Sequence, residues 1–335
     1  MLALFYIFIA VVIGVSFWQI TRILNFRTAI ATDKDNDVQG KLFLGFLAFL
    51  YAMMIYCLIF MNVLMLPESA SIEGEHDDRL FNITFILIGV VQFLMQFLLF
   101  YFSFKYRGKK ENKALFYADS HKLEAIWTIT PAVVLVVLIG YGLWQWNNIM
   151  DLSDAENPLI IEVYSKQFQW EARYAGDDNA LGRGNVNYIK GINTMGVDMT
   201  DVNAQDDKQV TEIHLPKGRK VIFKFRSQDV LHSAYMPHFR AQMNCVPGMV
   251  TEFGFTPKFT TEEMRVQSEV VEKTAVINKI RKEKGEDPYV FDFILLCNKI
   301  CGASHYGMQM KIVVEEEEAF NKWISQQPTL AEVIK

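Results

Sequence analysis

Four long apolar runs, all before residue 147, constrain this chain more than any other feature: about Leu2–Phe17, Leu42–Leu66, Ile83–Phe104 and Ala125–Trp146. The last three reach the roughly 20 apolar residues a helix needs to cross a bilayer core. Water cannot satisfy backbone groups inside lipid, so such runs must be helical. The first is shorter. Its leading residues carry no positive charge and no small-residue cleavage site follows, so it reads as a retained helix rather than a signal peptide. The expectation is four transmembrane helices.

Basic residues set the orientation. Arg22, Arg27, Lys34 and Lys41 lie between the first two runs, and Lys105, Arg107, Lys109, Lys110, Lys113 and Lys122 between the last two. Between the middle two only Arg79 is basic, among Glu68, Glu73, Glu75, Asp77 and Asp78. Short basic loops stay in the cytoplasm. The N-terminus and everything after the fourth run are therefore expected outside a bacterial-type cytoplasmic membrane, on the periplasmic side.

The remaining chain, 147–335, carries the whole net charge of −5. An acidic surface can steer a basic partner, although so small an excess is also ordinary for a soluble surface. Nothing here suggests nucleic acid. Alternating runs read as strands: Leu159–Tyr164, Phe168–Tyr174, Gln209–Leu215, Lys220–Phe225, Thr251–Phe255, Phe291–Leu296 and Lys311–Val314. Pro216-Lys217-Gly218 and Val246-Pro247-Gly248 mark turns between them. The pattern predicts an all-β Greek-key sandwich or barrel. Asp177–Asp207 reads as a long loop, Thr261–Gly285 as a helical insertion, and Ala319–Ile324 as a closing helix.

Within Cys297-Asn298-Lys299-Ile300-Cys301-Gly302-Ala303-Ser304-His305-Tyr306-Gly307-Met308 stand two thiols, an imidazole and a thioether, and Asp229-Val230-Leu231-His232-Ser233 offers a second imidazole from another loop. Soft donors of this kind select copper, or less often zinc. A one-copper blue site takes a single Cys with two His and an axial Met, so the second Cys is surplus unless two thiolates bridge two ions. A disulfide would leave the His and Met spacing unexplained, and a thioredoxin-like dithiol would need alternating helices that the strand pattern lacks. Cys57 and Cys245 read as packing residues, and His76, His121, His214 and His238 as surface or structural.

Four motifs together resemble subunit II of the haem–copper terminal oxidases: Glu124–Ala132 at the last membrane run, the aromatic segment Gln167–Tyr174, Asp229–Ser233, and Cys297–Met308. The resemblance spans about residues 83–335. It implies a transmembrane hairpin (83–146) and a cupredoxin-like extramembrane domain (147–335), with residues 1–82 adding two further helices. It implies a dinuclear copper A centre, with Cys297 and Cys301 bridging two copper ions. His232 and Met308 would complete one copper, and His305 with the Lys299 backbone carbonyl the other. Electrons would come from a cytochrome c and pass to haem in subunit I, where oxygen is reduced to water in a proton-translocating complex. Glu124 matches the acidic residue at the cytoplasmic entrance of a proton path, although a helix start favours a carboxylate in any case.

Three departures from the family stand out. Lys299 replaces a Glu that helps hold magnesium at the subunit I interface; an ammonium cannot ligate a cation, which counts against magnesium there. Asn244 replaces a common Asp. Phe168 replaces the electron-entry Trp, leaving Phe168, Trp170 and Tyr174 as candidates for that role. The extra helices suit docking into a larger respiratory assembly within the lipid. No C-x-x-C-H occurs, so no haem is expected in this chain.

Overall fold

The computed structural model describes residues 2–25, 32–61, 65–153 and 155–334. Four helices come first: α1 (Leu2–Asn25), α2 (Asp33–Phe60), α3 (Ile72–Lys105) and α4 (His121–Met150). Among the described residues, α2, α3 and α4 are long and apolar enough to cross a membrane. The fourth expected span falls on α1, whose described apolar stretch, Tyr6–Thr21, is shorter. Arg27, one of the charges used for orientation, lies outside the described residues. Large side chains such as Ile86, Val136 and Val137 stand exposed along the helices, which suits an apolar surrounding rather than water.

The chain divides into two compact units. In one, Met1–Phe60 with Ile86–Ile126, the start of α2 grips the end of α3. Arg107 pairs with Asp37 at 2.5 Å and lies over the Phe104 ring, and Asn36 donates to the Gly108 carbonyl at 2.9 Å. Gly40 permits the close approach: a Cβ there would sit 3.0 Å from both Arg107 and Phe104.

The other unit, Met61–Phe85 with Trp127–Lys335, holds two five-stranded sheets. Its strands are β1 (Leu159–Lys166), β2 (Gln169–Tyr174), β3 (Lys208–Val210), β4 (Ile213–Pro216), β5 (Val221–Ser227), β6 (His232–Met236), β7 (Ala241–Cys245), β8 (Thr251–Phe255), β9 (Phe293–Cys297) and β10 (Gln309–Glu315). One sheet runs β3-β2-β1-β5-β8 and the other β4-β10-β9-β6-β7. The β1–β5 and β4–β10 pairs are parallel, as chain crossings between sheets require, and every other strand pair is antiparallel. This is the expected all-β sandwich of cupredoxin type. Ile161, Val163, Phe223, Phe225, Phe255 and Phe293 fill its core.

Two details differ from the sequence reading. Gln209–Leu215 is two strands in different sheets. Val210 and Ile213 are both buried yet three residues apart, which a single period-2 strand cannot achieve on one face. His232 opens a strand rather than sitting in a loop. The long loop contains two short 3-10 turns, Val186–Tyr188 and Val202–Ala204, and packs Met195, Val197 and Ala204 against Tyr164. The insertion forms α5 (Thr261–Val266) and α6 (Ser268–Lys284), and α7 (Glu317–Ser325) and α8 (Leu330–Val333) close the chain.

The segment entering α3 is sewn to the sandwich. Ala70 donates to the His238 carbonyl at 2.8 Å, Ser71 Oγ to the Phe239 carbonyl at 2.7 Å, and Arg240 to both carboxylate oxygens of Asp78. Glu73 accepts from the Thr256 amide and from Lys220. The β domain is thereby fixed to the start of a membrane-length helix.

Candidate metal centre

Strand β9 delivers Cys297 and β10 begins at Gln309, so the loop between them must fold back on itself. The Cys297 amide donates to the Met308 carbonyl at 3.1 Å, which closes the loop. The Asn298 amide donates to the Ser233 carbonyl at 2.9 Å, which ties the loop to β6. Gly302 takes φ +145°, a conformation that favours glycine.

The folded loop gathers the soft donors. Cys297 Sγ lies 3.8 Å from Cys301 Sγ, 3.7 Å from His232 Nδ1 and 3.2 Å from the Lys299 carbonyl oxygen. Cys301 Sγ lies 3.6 Å from His305 Nδ1 and 3.9 Å from Met308 Sδ. The ligand atoms of His232, Cys297 and Cys301 all fall within 4.8 Å of one another. Both cysteines are free thiols. Metal–thiolate bonds of about 2.3 Å are longer than half the Sγ–Sγ separation, so an ion can bridge the pair. The donor set, soft and largely buried, fits copper.

Burial, with the neighbouring Cys297 sulfur, pushes the Cys301 thiol up to about 11. Metal entry must therefore displace a proton from it. Asp229 Oδ1 faces His232 Nε2 at 2.9 Å, while its Oδ2 accepts from the Gln167 amide at 2.7 Å. Burial alone would raise the Asp229 carboxyl, but the donors from Gln167, His232 and Val230 hold it below its usual range. A carboxylate on Nε2 leaves Nδ1, the nitrogen facing Cys297, free to ligate.

The remaining candidates separate into two groups. Phe168 is half-buried against the loop: a Cβ on Gly302 would meet its ring at 2.8 Å. Trp170 is buried, donates from Nε1 to the Met308 carbonyl at 3.3 Å, and lies 6.1 Å from the His232 ring. Tyr174 instead packs on Phe320 and Trp323 and bonds the His214 backbone. Lys299 is exposed. Glu124 sits exposed in the first turn of α4, 3.5 Å from His121.

Asp229 and Gln167 stood inside the quoted motifs without a role. The signal for Asp229 was its place three residues before a histidine; the signal for Gln167 exists only in three dimensions.

A family model described as "Cytochrome C oxidase subunit II, transmembrane domain" matches residues 60–143. The chain is 32% identical over 261 residues to an alternative cytochrome c oxidase subunit 2 of Bradyrhizobium diazoefficiens, covering 77% of this chain and 82% of that one. It is 22% identical over 292 residues to cytochrome c oxidase subunit 2 of Thermostichus vulcanus, covering 80% of each. Among solved structures, the periplasmic domain of subunit II of the cytochrome oxidase of Bradyrhizobium japonicum aligns at 20% identity and a TM-score of 0.31, covering 50% of this chain and 91% of that one.

Proposed function

The chain belongs to the cytochrome c oxidase subunit II family, and from that premise we propose that it takes electrons from a cytochrome c at a dinuclear copper centre and passes them to haem in subunit I. The observation that carries this reading is the pair of free thiols 3.8 Å apart, with His232 Nδ1 beside one and His305 Nδ1 beside the other. A single blue-copper site, with one Cys, two His and an axial Met, would leave one thiol idle. In the proposed arrangement Cys297 and Cys301 would hold both ions, His232 and Met308 would complete one, and His305 with the Lys299 carbonyl would complete the other. Bound copper would supply a one-electron couple whose charge change is shared across two ions.

The protein's own residues do the rest. Asp229 fixes the His232 ring through Nε2. Trp170 anchors the Met308 carbonyl. Phe168, against the loop and partly exposed, is the nearer electron-entry candidate, with Trp170 behind it. The exposed Lys299 ammonium puts a positive charge where the family resemblance implies a magnesium ligand, so no magnesium is assigned there. Glu124 is proposed as a proton-path entrance on the cytoplasmic side.

On this reading the β domain (147–335) faces the periplasm, the hairpin (83–146) packs against other oxidase subunits, and the two helices of residues 1–82 lie in lipid, available to a larger respiratory assembly; the basic loops between the apolar runs support the orientation. The test is metal analysis with near-infrared and electron paramagnetic resonance spectroscopy on the purified oxidase. Two coppers in this subunit and a mixed-valence spectrum, both lost in Cys297→Ser, are expected. Fewer than two coppers, or full activity in Cys297→Ser without them, refutes the reading.

A further inference from the structure

Resting on the copper reading above, we infer that Gln167 is a positioning residue that clamps the two ligand-bearing segments to each other. It lies in the turn between β1 and β2, on neither of those segments, yet it bonds both. Its backbone amide donates to Asp229 Oδ2 at 2.7 Å, and Asp229 in turn holds His232. Its side-chain Nε2 donates to the carbonyl oxygen of Cys301, the second thiol ligand. One residue thus spans from the β5–β6 segment that carries His232 to the β9–β10 loop that carries Cys301, His305 and Met308.

The surroundings make that grip specific. The Phe168 ring and Gln167 Nε2 together occupy the space beside Gly302: a Cβ at that glycine would meet the ring at 2.8 Å and Nε2 at 2.9 Å. The absence of a side chain at 302 is therefore what lets the turn reach the Cys301 carbonyl. The opposite end of the loop is held independently, by Trp170 Nε1 on the Met308 carbonyl and by Cys297 on the same oxygen. Without the Gln167 side-chain amide, none of the hydrogen bonds that hold the middle of the loop comes from outside it among the described residues: the remaining backbone bonds there, from His305 to Gly302 and from Gly307 to Ser304, are internal to the loop.

The placement also has a functional consequence. Gln167 is exposed and Phe168 half-buried, so the turn that grips the loop is itself on the surface. An electron donor settling on Phe168 would touch the same turn. The separation of His232 from Cys301, and with it the ligand field, is set from a residue that the donor can reach.

The test compares Gln167→Glu, Gln167→Ala and Gln167→Lys in the assembled oxidase. Glu is nearly isosteric but has no N–H to donate to the Cys301 carbonyl; Lys restores a donor of similar reach. Copper release to a cuprous chelator is expected to speed up about 10-fold in the Glu and Ala variants, the scale at which outer partners of a metal site act. The near-infrared band and copper hyperfine splitting should shift in both, the thermal midpoint should hold, and Lys should return release and spectrum toward the parent. Release and spectra unchanged in Gln167→Glu, or changes that Lys fails to reverse, overturn the role of the side-chain donor. A parent oxidase without two coppers in this subunit would instead fail the copper reading, and the clamp would fall with it.

Discussion

Replacing Asp229 by Ala removes the acceptor that faces His232 Nε2 at 2.9 Å and, with it, the acceptor for the Gln167 amide at 2.7 Å. His232 is fully buried, so its Nε2 proton has no water to turn to. A hydrogen bond to a charged partner contributes about 1.5–3 kcal/mol. Each 1.4 kcal/mol is tenfold in affinity, so copper binding should weaken by roughly 10- to 150-fold. The independent expectation for carboxylates behind metal-bound histidines is about 10- to 100-fold. Asp229→Asn should lose less, because its amide oxygen can still accept from His232 while its amide nitrogen cannot accept from Gln167. Competition titration of the reduced oxidase with a cuprous chelator measures the difference, and the near-infrared band of the mixed-valence form, recorded before reduction, reports the ligand field. Copper affinity in Asp229→Ala within about threefold of the parent would refute the premise that this carboxylate selects and steadies the ligating nitrogen.

The remaining expectations concern the fold around the centre. Burial, then the nearby Arg240 and Lys273, depress His238 from its usual range to about 4. The unfolded chain therefore binds a proton that the folded one refuses, and stability should fall as pH drops from about 6.5 to 4, by at most about 3 kcal/mol. The thermal midpoint of His238→Gln should lose that part of the acid dependence; an unchanged slope refutes it. Tyr174 OH donates to the His214 carbonyl at 2.7 Å and accepts from the His214 amide at 2.8 Å, joining the two sheets. Tyr174→Phe should cost about 2–4 kcal/mol through the unpaired backbone groups and leave the copper spectrum intact; thermal denaturation with spectroscopy checks both. Gly302→Ala should cost about 1–3 kcal/mol in backbone strain alone and displace Phe168, seen as faster copper loss.

The sequence made some parts of this molecule plain and hid others, for physical reasons. α2, α3 and α4 were readable because lipid demands an unbroken apolar length. β1 and β5 were readable because β-branched and aromatic residues make up at least half of each, and β10 because Ile312, Val313 and Val314 stand in a run. β6 and β7, with the sequences HSAYM and AQMNC, carry little such preference and are strands because β6 pairs with β9 on one side and with β7 on the other. The donor loop was readable because Cys, Cys, His and Met stand within twelve residues. The Asp229–Gln167–Cys301 linkage was not, since its members are 62 and 134 residues apart.

The third nearby thiol shows why donor chemistry alone does not define a site. Cys245 sits directly opposite His232 in the β6–β7 register and so shares its face of the sheet. By residue type it competes with Cys297 and Cys301 for a soft metal. Yet it lies outside the group of donors within 4.8 Å, and burial pushes its thiol up to about 12, with only partial relief from the Ala234 backbone and the Ser165 hydroxyl. A protonated, enclosed thiol is a small apolar side chain. Cys297 and Cys301 differ by lying on the loop that also brings His305 and Met308, where metal entry can offset the loss of the proton. On the proposed copper reading, ligand and packing residue are distinguished by the loop geometry, to which Gly302, Gln167 and Asp229 would contribute.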